Sequence, residues 1–286
     1  MERDNALSLA DIFSVIWDWR KKIILATILI TAVTAGVVFL TPKQYLSQAT
    51  IVAANPILGD RSNIFRNTFE QQFYYFGGEG DNDRIYDMAR VDTMKKFLID
   101  SFRLEDHYQI SKSNPRRRLA AYNNLKENMD VYTTDLGHIQ IKIWDTDKNV
   151  AANMVNAVVD KVNRMSIDMT NRAKQTILSK LESEMDANTA AVKQLSEIAD
   201  PTIPKEVIEA RRTSLLKQIE EKDNLINQFK TSINDVANIY VLEYAYPALK
   251  ADRPKRLVII SMGFLTALFL STLTAVVLNR FQRKTE

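Results

Sequence analysis

The sequence predicts an α+β membrane protein with two terminal transmembrane helices, a membrane-proximal mixed α/β base domain and a long antiparallel helical hairpin. Three observations carry that prediction. Charge-free apolar runs stand near both ends, alternating β-branched segments stand just inside them, and a seam of apolar residues at helical spacing dominates the second half of the region between.

The apolar runs are Ile23 to Leu40 and Leu257 to Leu278. At roughly 1.5 Å per residue they cover about 27 and 33 Å, against a hydrocarbon core of about 30 Å, so each can cross a bilayer. The first run is longer than the apolar stretch of a signal peptide and follows a long polar start, which favours an uncleaved anchor. Arg3, Arg20, Lys21 and Lys22 precede it while only Lys43 follows closely, so the positive-inside rule places the N-terminus in the cytoplasm. Lys250, Arg253, Lys255 and Arg256 before the second run compete with Arg280, Arg283 and Lys284 after it. Two crossings return the C-terminus to the cytoplasm and leave the region between the spans outside the inner face. The expected division is a cytoplasmic segment 1–22, a span 23–40, a periplasmic base 41–148, a hairpin 149–237, a last strand with a proline-rich segment 238–256, a span 257–278 and a tail 279–286.

Within the central region, Tyr45 to Ala53 reads as a strand entered directly from the first span, and His138 to Trp144 alternates strictly, with Ile139, Ile141 and Ile143 on one side. Phe65, Phe69, Phe73 and Phe76 recur at spacings of one helix face, which Gly77, Gly78 and Gly80 then stop. Ile85, Met88, Met94, Phe97 and Leu98 trace a second helix, and Asn114-Pro115 opens a third that runs through Met129 and buries Leu119, Tyr122 and Leu125. From Asn149 the seam Ala151, Val155, Val158, Val162, Met165, Met169 calls for a helical partner or a sheet. Leu181, Met185, Val192 and Leu195 continue it, interrupted at Asn188, until Asp200 to Pro204 must break the helix. A second leg from Lys205 to Val236 carries Leu215, Ile219, Leu225, Ile226 and Phe229, and Asn238 to Tyr246 reads as a last strand.

Composition narrows the function. There is no cysteine, and Lys+Arg 38 against Asp+Glu 35 gives a net charge of +3, too balanced for a nucleic-acid footprint. His107 and His138 are the only histidines, so a zinc site would need both plus carboxylates from distant segments. None of the seven glycines makes a phosphate-binding P-loop. Asp81-Asn82-Asp83 lacks the spacing of a calcium loop and reads as a helix cap, and Glu182 and Glu184 read as solvated surface on different faces. Arg116-Arg117-Arg118 reads as a solvated face, with phosphate contact as the rival. No catalytic, cofactor or metal site is expected, and no cofactor.

Several segments resemble the Wzz-type polysaccharide co-polymerases, the chain-length determinants of bacterial surface polysaccharides. Leu9 to Lys22 (LADIFSVIWDWRKK) looks like the family's amphipathic lead-in and Pro42 to Val52 (PKQYLSQATIV) like its entry into the first strand. Asp145 to Asp160 (DTDKNVAANMVNAVVD) resembles the signature at the start of the long helix, with Asp147 near the N-cap, Ala152 inside and Asn156 at the motif asparagine. Pro247 and Pro254 match the proline-rich segment and Gly263 the first glycine of the membrane glycine pair. Arg253 stands where a serine is usual, and Ala267 replaces the second glycine. Gly263, Ala267, Ser271 and Ala275 form a small-residue stripe, with Thr27, Thr31 and Ala35 at the same spacing on the first span.

The resemblance implies a non-enzymatic inner-membrane scaffold, a homo-oligomeric ring that sets the length distribution of an LPS O-antigen or similar polymer together with a membrane polysaccharide polymerase. Lipid-linked saccharide and the lipid bilayer are its further candidate partners; nucleic acid is not one. Some relatives carry a cytoplasmic tyrosine-kinase domain, which the tail after the second span is too short to supply. A capsule or exopolysaccharide export co-polymerase that bridges to an outer-membrane channel would share this architecture, and a two-span periplasmic sensor is the more distant alternative. An efflux adaptor would show Gly-rich β segments that are absent.

Overall fold

A computed structural model of the chain describes residues 9–55, 76–197, 204–232 and 238–285. Among them the order is α1 (Leu9–Leu40), β1 (Tyr45–Ala53), α2 (Glu79–Arg90), α3 (Asp92–Phe102), α4 (Leu104–His107), α5 (Arg117–Glu127), β2 (Met129–Thr133), β3 (Ile139–Asp145), α6 (Lys148–Glu197), α7 (Lys205–Ser232), β4 (Ile239–Glu243) and α8 (Arg256–Thr285). The fold is α+β, with long apolar helices at both ends, one small sheet and two long helical legs. Two compact units divide it: Met1–Leu46 with Trp144–Ala151 and Pro247–Glu286, and Ser47–Ile143 with Ala152–Tyr246.

In the first unit, α1 and α8 contain stretches long and apolar enough to cross a membrane, Phe13–Leu40 and Arg256–Phe281. Leu25, Leu29, Val33 and Val37 on α1, and Val258, Leu265 and Phe269 on α8, are exposed. Helices whose exposed side chains are largely apolar suit a lipid solvent, because water would penalise each of them, and both are candidate membrane spans.

The second unit is built on a sheet of order β2-β3-β1-β4, in which β1 pairs antiparallel with β4, and β2 with β3. On β3 the alternation does what the sequence requires: Ile139, Ile141 and Ile143 are fully buried, and the residues between them are half-buried. Each such isoleucine removes enough apolar area from water to contribute roughly 1.5–3 kcal/mol. Ala49, Ile51 and Ala53 of β1, Ile85 of α2, Leu98 of α3 and Leu125 of α5 complete the interior. The early part of α6 adds Ala152, Met154, Val155, Val158, Val159 and Val162, all buried. Its 50 residues extend about 75 Å, and beyond Ser166 the seam is only half-buried, with Met169 at 55% exposure.

The hairpin is held by polar contacts along its outer length. Asn188 donates to Gln218 (3.3 Å), and Lys222 and Lys230 pair with Glu184 (3.1 Å) and Glu182 (2.9 Å). The position that interrupts the seam thus faces an amide across the hairpin, and the two glutamates, still open to solvent, ion-pair with the other leg.

Several expectations are corrected. Phe76 lies outside any helix: it forms an isolated bridge with Ala54, stacks edge-on against Tyr240 and is 50% exposed. Phe65, Phe69 and Phe73 lie outside the described residues, as do the break at Asp200 to Ile203 and the end of the second leg at Val236. Gly78 caps α2 and Gly80 sits inside it, so these glycines start a helix instead of ending one. The cap comes from Asp81, whose carboxylate accepts the Gly78 N–H (3.1 Å), while Asn82 accepts the Ala53 N–H (2.9 Å). The single helix expected through Ile85 and Leu98 is two, because Val91 adopts an extended ψ of 150° between them. The third helix begins only at Arg117, since the Asn114 carboxamide closes a turn onto the Arg116 N–H (2.9 Å). It ends before Met129, which opens β2, and Leu119 faces out at 51% exposure.

The arginine run ties helices together. Arg117 donates to the Ile110 carbonyl (3.0 Å) and pairs with Glu105 (3.5 Å) and Asp106, and Arg118 pairs with Asp100 (2.8 Å). Arg117 holds the Asp106 carboxyl below its ordinary value. Asp92 is likewise held low, chiefly because the Tyr122 hydroxyl donates to it (2.6 Å), with Lys95 (3.4 Å) adding to the effect, and the same bond raises the Tyr122 hydroxyl. A depressed carboxyl contributes stability above its unfolded value of about 3.9 and loses it as pH falls through the folded value. Tyr122→Phe is therefore expected to move the Asp92 carboxyl back toward the ordinary value, read by NMR titration of the side-chain carboxyl. Any stability gap between variant and wild type at neutral pH should close on acidification below about pH 4.

Candidate functional site

No cluster of three or more His, Cys, Asp or Glu that could hold a metal ion occurs among the described residues. Apart from Pro247 and Pro254, the residues singled out by sequence fall on three structural joints, two in the first unit and one in the second.

The first joint is the start of α6. The Asp145 carboxylate accepts the Asp147 N–H (2.8 Å), and Asp147 in turn accepts the N–H groups of Asn149 (2.8 Å) and Val150 (3.4 Å). Asp147 thus satisfies amide donors that the first helical turn leaves without intrahelical partners, and its negative charge suits the positive end of the helix dipole. Asp145 is itself buried.

The second joint, in the other unit, is made by Asn156. Its side-chain amide donates to the Ala245 carbonyl (3.1 Å), and its carbonyl oxygen accepts the Ala245 N–H (3.0 Å). One planar amide so imitates a strand neighbour for the backbone just beyond β4. Ala245 is buried, as is Ala152 one turn earlier on α6. Ser47 adds a bond from its hydroxyl to the Tyr246 carbonyl (2.9 Å). The motif asparagine therefore acts within the chain, locking the last strand's exit to the long helix.

The third joint is the span pair. Ala267 and Ala275 are buried, Thr27 is buried opposite them on α1, and the Thr27 and Ser271 hydroxyls lie 3.1 Å apart. Thr27 also returns a bond to the Ile23 carbonyl (2.8 Å). At Gly263 a Cβ would stand 2.9 Å from Thr34 Cγ2, closer than carbon atoms tolerate, so glycine is required by the approach of the two helices. The stripe of small residues is thus the contact surface of α8 against α1, where close backbone approach supplies the dispersion that lipid cannot.

Pro247 is exposed and Pro254 half-buried, and the Arg253–Pro254 peptide bond is cis. Between them lies a cluster that the sequence reading missed. Gln44 is joined to this segment by backbone bonds from its N–H to the Arg253 carbonyl (2.9 Å) and from the Asp252 N–H to its own carbonyl (2.9 Å). The Trp144 indole N–H donates to Asp252 (2.7 Å), and the Arg253 guanidinium lies 3.8 Å over the Trp144 ring. The residues come from three distant stretches of chain, and only the unexpected arginine at the serine position signalled them.

Variants at two of these joints have definite expected outcomes. Asn156→Ala is expected to cost about 2–3 kcal/mol by thermal unfolding, because two Ala245 backbone groups lose their partner. Asn156→Asp keeps the acceptor but sets a carboxylate against the Ala245 carbonyl, so its destabilisation should shrink as pH falls and the carboxyl protonates. In the spans, the pair Thr27→Cys with Ser271→Cys should form an intrachain disulfide in a chain that has no other cysteine. Adding Gly263→Val should sharply lower the yield of that cross-link, read by gel mobility.

Several known proteins are similar to the chain. Among solved structures it is similar to a full-length bacterial polysaccharide co-polymerase, with 12% identity, a TM-score of 0.47, and 96% of this chain and 99% of that one covered. A fragment of the WzzB co-polymerase from Salmonella Typhimurium is 9% identical over 74% of this chain and 100% of its own, with a TM-score of 0.40. A Wzz dodecamer is 12% identical over 73% and 99%, with a TM-score of 0.22. No curated protein matches the sequence significantly. The family description that matches is that of the chain length determinant protein, Wzz, over residues 5–78, a segment that takes in α1 and β1. Residues 5–78 thus match the description of the chain length determinant protein, and the resemblance read from Leu9 to Lys22 and from Pro42 to Val52 is shown over that stretch.

Proposed function

We propose that this chain is an inner-membrane polysaccharide co-polymerase that controls the chain-length distribution of a bacterial surface polysaccharide, an LPS O-antigen or similar polymer. The match of residues 5–78 to the chain length determinant family carries the reading. The two apolar terminal helices and the long hairpin support it as the architecture such a scaffold needs.

In this reading both termini are cytoplasmic and residues 41–256 are periplasmic, as the charges before the first span favour. The protein works without catalysis, as a homo-oligomer beside a membrane polysaccharide polymerase. Its hairpin legs expose Met169 and Ile177 on α6 and Val207, Leu216 and Leu225 on α7. Symmetric neighbours would cover such residues, which a lone hairpin leaves in water. Asp147, Ala152, Asn156, Pro247, Pro254, Gly263 and Ala267 serve assembly by holding each subunit in the shape that its neighbours meet.

The test is a gel ladder of surface polysaccharide from cells with and without the gene, complemented by the intact chain. Collapse of a modal cluster into a random, short-biased ladder is the expected result. Complete loss of surface polymer would instead favour the export role, and an unchanged ladder would favour a sensor.

A further inference from the structure

Cations gather at the end of the span pair where α1 stops and α8 starts. Lys43 follows α1 by three residues, and Arg253, Lys255 and Arg256 lead into α8. The Gln44–Arg253 backbone pairing brings these stretches together, and the Arg256 guanidinium lies 4.8 Å over the Phe39 ring. Lys43, Arg253 and Lys255 are exposed, and among the described residues none of the four forms an ion pair. The buried Arg256 Nε–H has no acceptor there either. The carboxylate closest in sequence, Asp252, is engaged by the Trp144 indole.

Arg253 is prepared for a ligand. Its guanidinium carbon stands 3.8 Å from the Trp144 ring centroid, so the ring face holds the cation in place while the side chain stays exposed. A guanidinium held at one place and open to solvent suits a tetrahedral oxyanion, which it can bind through two N–H groups at once. The depth matters as much as the charge. The apolar stretches of both spans end here, which puts the cluster at the height of lipid headgroups. With the N-terminus cytoplasmic, this is the outer surface, where the positive-inside bias disfavours so many cations. An anion supplied by the membrane removes that conflict.

We propose that Lys43, Arg253, Lys255 and Arg256 form a headgroup site that takes the phosphate of an anionic phospholipid. The inference rests on the membrane-spanning part of the proposed function. The full chain, purified in detergent, is titrated with phosphatidylglycerol and with phosphatidylcholine of the same acyl chains, and bound lipid is counted by native mass spectrometry. Phosphatidylglycerol should be retained at least about five-fold better by the wild type, since each juxtamembrane cation favours an anionic lipid. Lys43→Gln with Lys255→Gln, which leaves the Arg253–Trp144 stack in place, should bring the two lipids near parity. Arg253→Lys should lower the preference, because it keeps the charge and loses the paired N–H donors of the guanidinium. Arg211→Gln with Lys217→Gln makes the same charge change on α7 and should leave the preference intact.

Equal retention of both lipids by the wild type, or equal loss in the α7 variant, would overturn the proposal. Displacement of bound phosphatidylglycerol by equimolar farnesyl diphosphate would overturn it too, by showing a diphosphate as the occupant. A wild-type chain that alkaline carbonate strips from membranes would fail the spanning reading itself. One that stays integral yet shows no lipid preference fails only this inference.

Discussion

Two long apolar helices that pack on one another bring the end of the first and the start of the second to one place, and the backbone pairing of Gln44 with Asp252 and Arg253 closes the chain there. It joins residues that some two hundred positions separate in sequence, a closure whose entropic cost grows only with the logarithm of the loop. The contacts on either side follow the same logic. In the span pair, glycine at 263 and small residues at 267 and 275 let the helices approach, with a hydroxyl pair at 27 and 271 satisfied inside. In the sheet-bearing unit, β1 pairs with β4, Ser47 bonds the Tyr246 carbonyl, and Asn156 occupies both backbone groups of Ala245. Each unit thus ties an early segment to a late one.

This division of labour explains the sort of residue found at each joint. Between two candidate spans, for which a lipid solvent would give no hydrophobic gain on joining, the contact rests on shape and a few hydroxyl groups, and bulk is what does harm. In the sheet-bearing unit burial is driven by water, and the isoleucines of β3 with the valines of α6 supply it in quantity. There the polar residue is needed for direction, since apolar packing alone leaves the backbone beyond β4 without partners for its amide groups. Asn156 suits that position better than any charged residue because one neutral side chain both donates and accepts.

Much of this was legible in the sequence. The spans, β1, β3 and the two hairpin legs declare themselves by long runs or strict periodicity, and the small-residue stripe correctly marked the face of α8 that meets α1. What escaped detection was short or depended on distant chain. β2 has five residues with only Val131 buried, too little alternation to be seen beside the helix before it. The split between α2 and α3 rests on one valine that takes an extended angle without glycine or proline to announce it. Asn156 could be picked out by motif, but its role required knowing that position 245 returns to face it. The Trp144–Asp252–Arg253 group left no pattern beyond the unexpected arginine, because aromatic, acid and base come together only after distant stretches of chain are joined.

The cross-hairpin contacts make the legs interchangeable in length. Asn188 meets Gln218 and Glu184 meets Lys222, so each step outward on α6 is matched by an equal step back on α7. Seven residues complete almost two turns, and inserting that number in both legs beyond Asn188 and before Gln218 would leave every inner contact facing its partner. Such a splice lengthens the hairpin by about 10 Å, whereas a single residue added to one leg alone turns all that follows by about 100°. The reach of the hairpin is therefore adjustable in whole steps, and its inner register and the sheet are indifferent to which step is taken.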